Sequence, residues 1–194
     1  MSIVGTKAPS FKLPAVVHGE IGEVDSEKLL GKWTVLFFYP LDFTFVCPTE
    51  ILAFSDAAPR FAELDAQVLG VSVDSQFTHL AWVNTPKEQG GLGAIRVPLV
   101  ADLKKQLARD FGVLNEAAGV ALRGVFVIDP EGVVQSATVN NLSVGRNVGE
   151  VLRTLKAFRF VRSHAGEVCP AGWDEGADAM HASPAGVASY LRSH

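Results

Sequence analysis

Thr34-Val-Leu-Phe-Phe-Tyr-Pro-Leu-Asp-Phe-Thr-Phe-Val-Cys-Pro-Thr-Glu50 holds the central unit of the fold. Residues 34–39 are branched and aromatic without alternation, the pattern of a strand buried on both faces. Pro40 ends the run, and a loop follows to Cys47. Pro48 suits the first helical position, where a missing N–H costs no hydrogen bond, and helical spacing then continues over 48–64. A central strand running through a loop into a helix is a building block of an α/β sheet.

Working outward, apolar runs at 67–73, 97–100 and 124–128 predict further strands. The last is closed by the turn sequence Asp129-Pro-Glu-Gly132, after which 133–139 returns as a hairpin partner. Helical spacing is expected over 75–84, 103–111 and 148–162. Strands alternating with helices, with one added hairpin, predict a central mixed sheet flanked by helices. The expected division is a domain over 1–162 and a C-terminal arm over 163–194, where Gly, Ala, Ser, His and Pro replace the periodic pattern and an external surface is expected to supply order.

Composition narrows the function classes. The chain has 194 residues, 48% of them hydrophobic, and a formal charge of −4, with a pI near 5.7. Interspersed charges of that balance generate no field to gather nucleic acid or anionic lipid. Met1-Ser-Ile-Val-Gly-Thr-Lys-Ala-Pro9 has no basic segment followed by an apolar stretch, so no secretory signal is expected. The apolar run over 33–46 is broken by Pro40 and Asp42 and falls short of the roughly 20 residues that span a bilayer. A cytoplasmic protein without membrane or nucleic-acid partners is expected. The two cysteines, Cys47 and Cys169, and the five histidines form no metal-ligand spacing, so no metal or other cofactor is expected.

Cys47 is the residue with the most chemistry in its surroundings. Placed just before Pro48, its sulfur lies at the positive end of a helix dipole beside unpaired backbone N–H groups, where the nucleophilic thiolate is favoured. Taken alone the cysteine reads as a buried filler; its place at a helix start and the Thr44 hydroxyl three residues earlier bring the reactive reading level with that one. Arg123 begins a predicted core strand, where a charge is expensive, and alone it reads as a strand-edge cap.

Pro40, Thr44 and Cys47 together match Pro-x-x-x-Thr-x-x-Cys, the active-site signature of the peroxiredoxin family. The segment, and with it essentially the whole chain from Gly5-Thr-Lys-Ala-Pro9 to Cys169-Pro170, resembles the typical two-cysteine branch that includes the alkyl hydroperoxide reductase peroxidase subunit. The resemblance implies a thioredoxin-like fold and a hydroperoxide-reducing enzyme. Cys47 would be its peroxidatic residue, Pro40 a shield for the thiolate, and Thr44 and Arg123 the groups that hold peroxide and stabilise its charge. Glu50 and Arg146 match a supporting ion-pair network; considered singly, each reads equally as a surface charge. Gly166-Glu-Val-Cys-Pro-Ala-Gly-Trp173 matches the resolving segment, making Cys169 the partner of a disulfide between subunits of a homodimer, itself one unit of a ring such as a decamer. A thioredoxin-like or flavoprotein disulfide reductase system would regenerate the enzyme. A chaperone-like holdase or peroxide-signalling partner is the alternative function; a thioredoxin-type reductase is disfavoured because no Cys-x-x-Cys is present. Gln89-Gly-Gly-Leu-Gly93 resembles the glycine-rich loop of overoxidation-sensitive relatives, although their C-terminal Tyr-Phe pair is Tyr190-Leu191 here.

Overall fold

The computed structural model describes residues 2–194, in two compact units that divide between Val148 and Gly149. In the first, β1 (Lys12–Val17) and β2 (Glu20–Asp25) precede β3 (Trp33–Phe38), α1 (Cys47–Glu63) and β4 (Ala66–Ser72). Then come α2 (Gln76–Asn84), β5 (Leu99–Ala101), the short α3 (Gln106–Asp110), a small hairpin of β6 (Leu114–Asn115) and β7 (Val120–Ala121), β8 (Arg123–Ile128) and β9 (Val134–Asn140). Seven strands form one sheet in the order β2-β1-β5-β4-β3-β8-β9. It is mixed, as expected: β3 pairs in parallel with β4 and antiparallel with β8.

All six residues of β3 are buried, because both sheet faces are covered. Phe37 points to the face under α1, where its ring stacks on Phe54 with centroids 4.3 Å apart. Leu36 and Phe38 point the other way, into a cluster with Val71, Val100, Leu107, Phe111 and Phe126. The helix meets the sheet through buried Ile51, Phe54 and Phe61, the spacing of one helical face. Register makes room for the ring of Phe37: its neighbour on β4 is Gly70, where a Cβ would fall 2.8 Å from the Phe37 ring.

The 129–132 turn forms as its sequence predicts, with one Asp129 carboxylate oxygen accepting from the backbone N–H groups of Glu131 and Val133. Two differences from the sequence reading have local causes. The β1–β2 hairpin was not anticipated; its two-residue turn, His18 and Gly19, has positive φ at both positions (52° and 80°), the backbone of a type I′ turn, but His-Gly is a weak signal for it. Helix α3 is shorter than the predicted 103–111 because Lys105 takes a left-handed φ of 60°, and the Asp102 carboxylate then caps the N–H groups of Leu107 and Ala108. A proline, Pro59, lies inside α1. The Ser55 carbonyl, four residues back, loses its helical donor, and the Arg96 guanidinium lies 3.5 Å from it while the Arg96 N–H donates to the Ser55 hydroxyl.

The second unit contains α4 (Val148–Ser163), a two-strand hairpin of β10 (Glu167–Val168) and β11 (Met180–His181), and α5 (Pro184–Ser193). Residues 163–194 thus carry elements that their composition did not announce. Trp173 is buried beside Phe160, its carbonyl accepting from Arg153 at 2.6 Å. Helix α5 starts at a Ser183 cap that accepts from the Gly186 N–H, with Pro184 following, a start signal present in the sequence but masked by the small residues around it.

Because Phe37 fills the space between Gly70 and Phe54, Phe37→Ala should lower unfolding stability by about 3–5 kcal/mol, read from urea denaturation as a reduced midpoint.

Candidate active site

Cys47 is fully buried as the first residue of α1, directly beneath the loop that leaves β3. With Pro48 in the first turn no backbone N–H is wasted there, and the sulfur lies at the helix N-terminus as the sequence suggests. Thr44 Oγ1 is 2.9 Å from Cys47 Sγ and 2.8 Å from the Leu41 carbonyl. Its single proton has two competing acceptors whenever sulfur is a thiolate. Pro40 is buried at the head of the same loop.

Arg123 arrives from the first position of β8. Its Nη1 lies 3.5 Å from Cys47 Sγ and 2.5 Å from Glu50 Oε2, while Nε donates to the Leu142 carbonyl at 2.7 Å. The other Glu50 oxygen accepts from Arg146 twice, from the backbone N–H at 2.8 Å and from Nε at 2.7 Å. Arg146 Nη1 donates to the carbonyls of Phe38 and Gly124, and its guanidinium lies 5.3 Å from the Phe37 ring centre. The side chains of Glu50, Arg123 and Arg146 are 3%, 4% and 1% exposed, so these are not surface charges. Burial pulls the Arg146 guanidinium below its ordinary value, against the opposing influence of Glu50.

The structure therefore brings Thr44, Cys47, Glu50, Arg123 and Arg146 together in the first unit, with Pro40 buried in the loop that carries Thr44. Cys169 belongs to the second, just after β10, with Sγ 3.7 Å from the Ala157 carbonyl. Among the described residues no group of His, Cys, Asp or Glu side chains is suited to holding a metal ion. Chemically, a buried sulfur faced by a hydroxyl and a guanidinium can deliver electrons to an electrophile while donors wait for the charge that leaves.

A second polar group behind the loop escaped the sequence reading. Tyr39 Oη donates to Asp42 Oδ1 at 2.8 Å, the other Asp42 oxygen meets His79 Nδ1 at 2.7 Å, and the Asp42 N–H donates to Asp74 at 2.9 Å. The visible hint was Asp42 itself, a carboxylate interrupting an apolar run. Next to it Phe43 has a φ of 53°, a left-handed conformation that costs an L-residue roughly 1–2 kcal/mol.

Comparison with known proteins follows the same lines. Residues 4–137 match the AhpC/TSA family, and residues 157–193 match the C-terminal domain of 1-Cys peroxiredoxin. The chain is 54% identical over 191 residues to peroxiredoxin-2 of Bos taurus, across 98% of this chain and 96% of that one. It is 56% identical over 184 residues to the mitochondrial thioredoxin-dependent peroxide reductase of Mus musculus, across 95% of this chain and 71% of that one. The crystal structure of reduced 2-Cys peroxiredoxin from Plasmodium vivax superposes with a TM-score of 0.96 at 44% identity, covering 99% of this chain and all of that one. Fold and likeness together define a thiol peroxidase on a thioredoxin-like sheet. Within that class, the chain belongs to the peroxiredoxin family, and its structural neighbours are two-cysteine members.

A lysine at position 123 would keep the charge but could not serve Leu142, Glu50 and Cys47 at once. Arg123→Lys should slow peroxide reduction by about a hundredfold, measured by stopped-flow single turnover of the reduced protein.

Proposed function

We propose that Cys47 attacks the hydroperoxide and that Cys169 of a partner subunit resolves the product. The contrast between the two sulfurs supports this reading. Cys47 faces the Thr44 hydroxyl and the Arg123 guanidinium, both donors. The Cys169 thiol lies 3.7 Å from the Ala157 carbonyl, an acceptor, and is pushed up by burial, against the pull of Arg153.

In the first step the Cys47 thiolate attacks the terminal peroxide oxygen. The S–O bond forms, the O–O bond breaks, and the electron pair leaves on the departing alkoxide or hydroxide, which takes a proton to become alcohol or water. Thr44 and Arg123 donate to the oxygen gaining charge, and Pro40 keeps bulk water from the sulfur. In the second step the Cys169 sulfur attacks the sulfenic sulfur, forming a disulfide and releasing water. A dithiol reductant of the thioredoxin-like or flavoprotein-linked class then restores both thiols; the thioredoxin dependence carried in the name of the mouse relative supports the former. The substrates are hydrogen peroxide and organic hydroperoxides, and the compartment is the cytoplasm.

Association of this chain with itself fits its surface. Phe45 is 94% exposed, and Phe43 and Phe77 are also largely exposed, the sort of apolar area that a second subunit covers. A homodimer, assembled further into a ring, places the 163–194 arm where it can reach a neighbouring Cys47. Disulfide geometry needs Cα atoms about 4.4–6.8 Å apart, so the first turn of α1 must open for Cys47 to be joined.

Cys47→Ser should abolish peroxide turnover, whereas Cys169→Ser should consume about one equivalent and stop at sulfenic acid; multi-turnover activity in the first variant would refute the assignment. Mild oxidation of the native chain should give a reducible species of twice the chain mass, and peptide mapping that finds an intrachain link instead would refute the intersubunit step. Because burial raises Cys169 above the ordinary thiol value, its thiolate fraction is low at neutral pH and grows with alkalinity. The disulfide-forming step should therefore accelerate as pH rises, followed by stopped-flow fluorescence after a stoichiometric peroxide pulse.

A further inference from the structure

We propose that Asp42 and His79 are positioning residues for peroxide reduction: with Tyr39 they form a buried clasp that holds the 40–44 turn where the Thr44 hydroxyl meets Cys47. The inference rests on Cys47 being the peroxide-reactive thiol and concerns residues that touch neither sulfur nor substrate.

The clasp ties the turn to three parts of the sheet and its helices. Tyr39, at the end of β3, donates to one Asp42 oxygen, and His79 on α2 bonds the other. The Asp42 N–H donates to Asp74 beyond the end of β4, and the same Asp74 oxygen accepts from the Ser72 hydroxyl. His79 and the Asp42 side chain are fully buried. The proton inventory follows from the partners. His79 Nε2 lies 3.2 Å from the Val100 carbonyl, which can only accept, so that nitrogen carries a proton. A second proton must then lie between Nδ1 and Asp42 Oδ2, since two lone pairs would repel at 2.7 Å. Aspartate and histidine share that proton as a neutral, satisfied pair, the condition under which a buried polar network rigidifies its surroundings.

What the pair rigidifies is a strained segment. Phe43 sits at a left-handed φ of 53° between Asp42 and Thr44, and a bulky residue stays there only where neighbouring contacts hold it. On the N-terminal side the hold is the Asp42 clasp; on the C-terminal side it is Thr44, bonded to the Leu41 carbonyl and to sulfur. With the clasp removed, the turn relaxes toward negative φ and the Thr44 oxygen leaves its place 2.9 Å from Cys47. The sulfur remains at the head of α1 with Arg123, so general thiol chemistry survives while the peroxide-specific reaction is lost.

The test compares two reactions of Cys47 in a Cys169→Ser background: oxidation by hydrogen peroxide and alkylation by iodoacetamide. Asp42→Ala should slow oxidation by about a hundredfold, the scale of a misplaced catalytic group, and leave alkylation within about twofold. Asp42→Asn should recover oxidation to within about threefold, because its amide can accept from Tyr39 and donate to His79 Nδ1 with the Nε2 proton unchanged. Tyr39→Phe, which removes the hydroxyl's contacts with Asp42 and His79 and keeps the core filled, should lower oxidation selectively by a smaller factor and covers the case in which Asp42→Ala does not fold. Equal losses in both reactions, or an Asn variant as impaired as Ala, would overturn the clasp. Oxidation that persists in a Cys47→Ser control would instead overturn the site assignment on which it rests.

Discussion

One carboxylate between two guanidiniums governs the active site. Glu50 divides its oxygens between Arg123 and Arg146, and all three side chains are nearly excluded from water. Two buried cations and one anion leave a unit of positive charge uncompensated, a costly arrangement in a low-dielectric setting. A thiolate at Cys47, whose sulfur lies 3.5 Å from Arg123, would supply the missing anion. In the proposed reaction the ion network and the sulfur would then complete one another. The sheet supplies the geometry: Arg123 begins β8, the Phe38 carbonyl at the end of β3 accepts from Arg146, and Glu50 stands in the first turn of α1.

The site joins two opposing demands. Peroxide reduction calls for fixed donors, and the loop over residues 39–46 is bound from several sides. Joining Cys47 to a second cysteine, as proposed, calls for that same segment to yield. The sheet and the Phe37–Phe54 stack lie behind the site as a fixed frame, while the segment that meets both demands carries exposed Phe43 and Phe45.

Much of this was legible along the chain where the signal is local. The β3 run, the Pro48 helix start and the 129–132 turn are statements about adjacent residues, and the structure agrees with them. The β1–β2 hairpin escaped because His18-Gly19 takes up a turn usually marked by Asn-Gly, and α3 shrank because the left-handed Lys105 leaves no trace in composition. At the site, the nearness of Thr44 to Cys47 follows from three residues of sequence. The meeting of Glu50 with Arg146, 96 positions apart, is a product of the sheet order, and only the family resemblance pointed to it. The pairing of Asp42 with His79 had no such pointer: a lone histidine on a short helix gives no indication of what it will face.

Pro59 gives α1 a further property. With the Ser55 carbonyl turned to Arg96 instead of to a helical N–H, the helix is two hydrogen-bond ladders in series, and a disturbance entering at Cys47 meets a seam after about two turns. Beyond the seam, Phe61 is buried and anchors the distal ladder by packing. Ile51 and Phe54 are buried ahead of the seam as Phe61 is beyond it, so each ladder is pinned to the sheet by its own side chains, and the turn that bears the sulfur is the part of the helix ahead of that apolar packing.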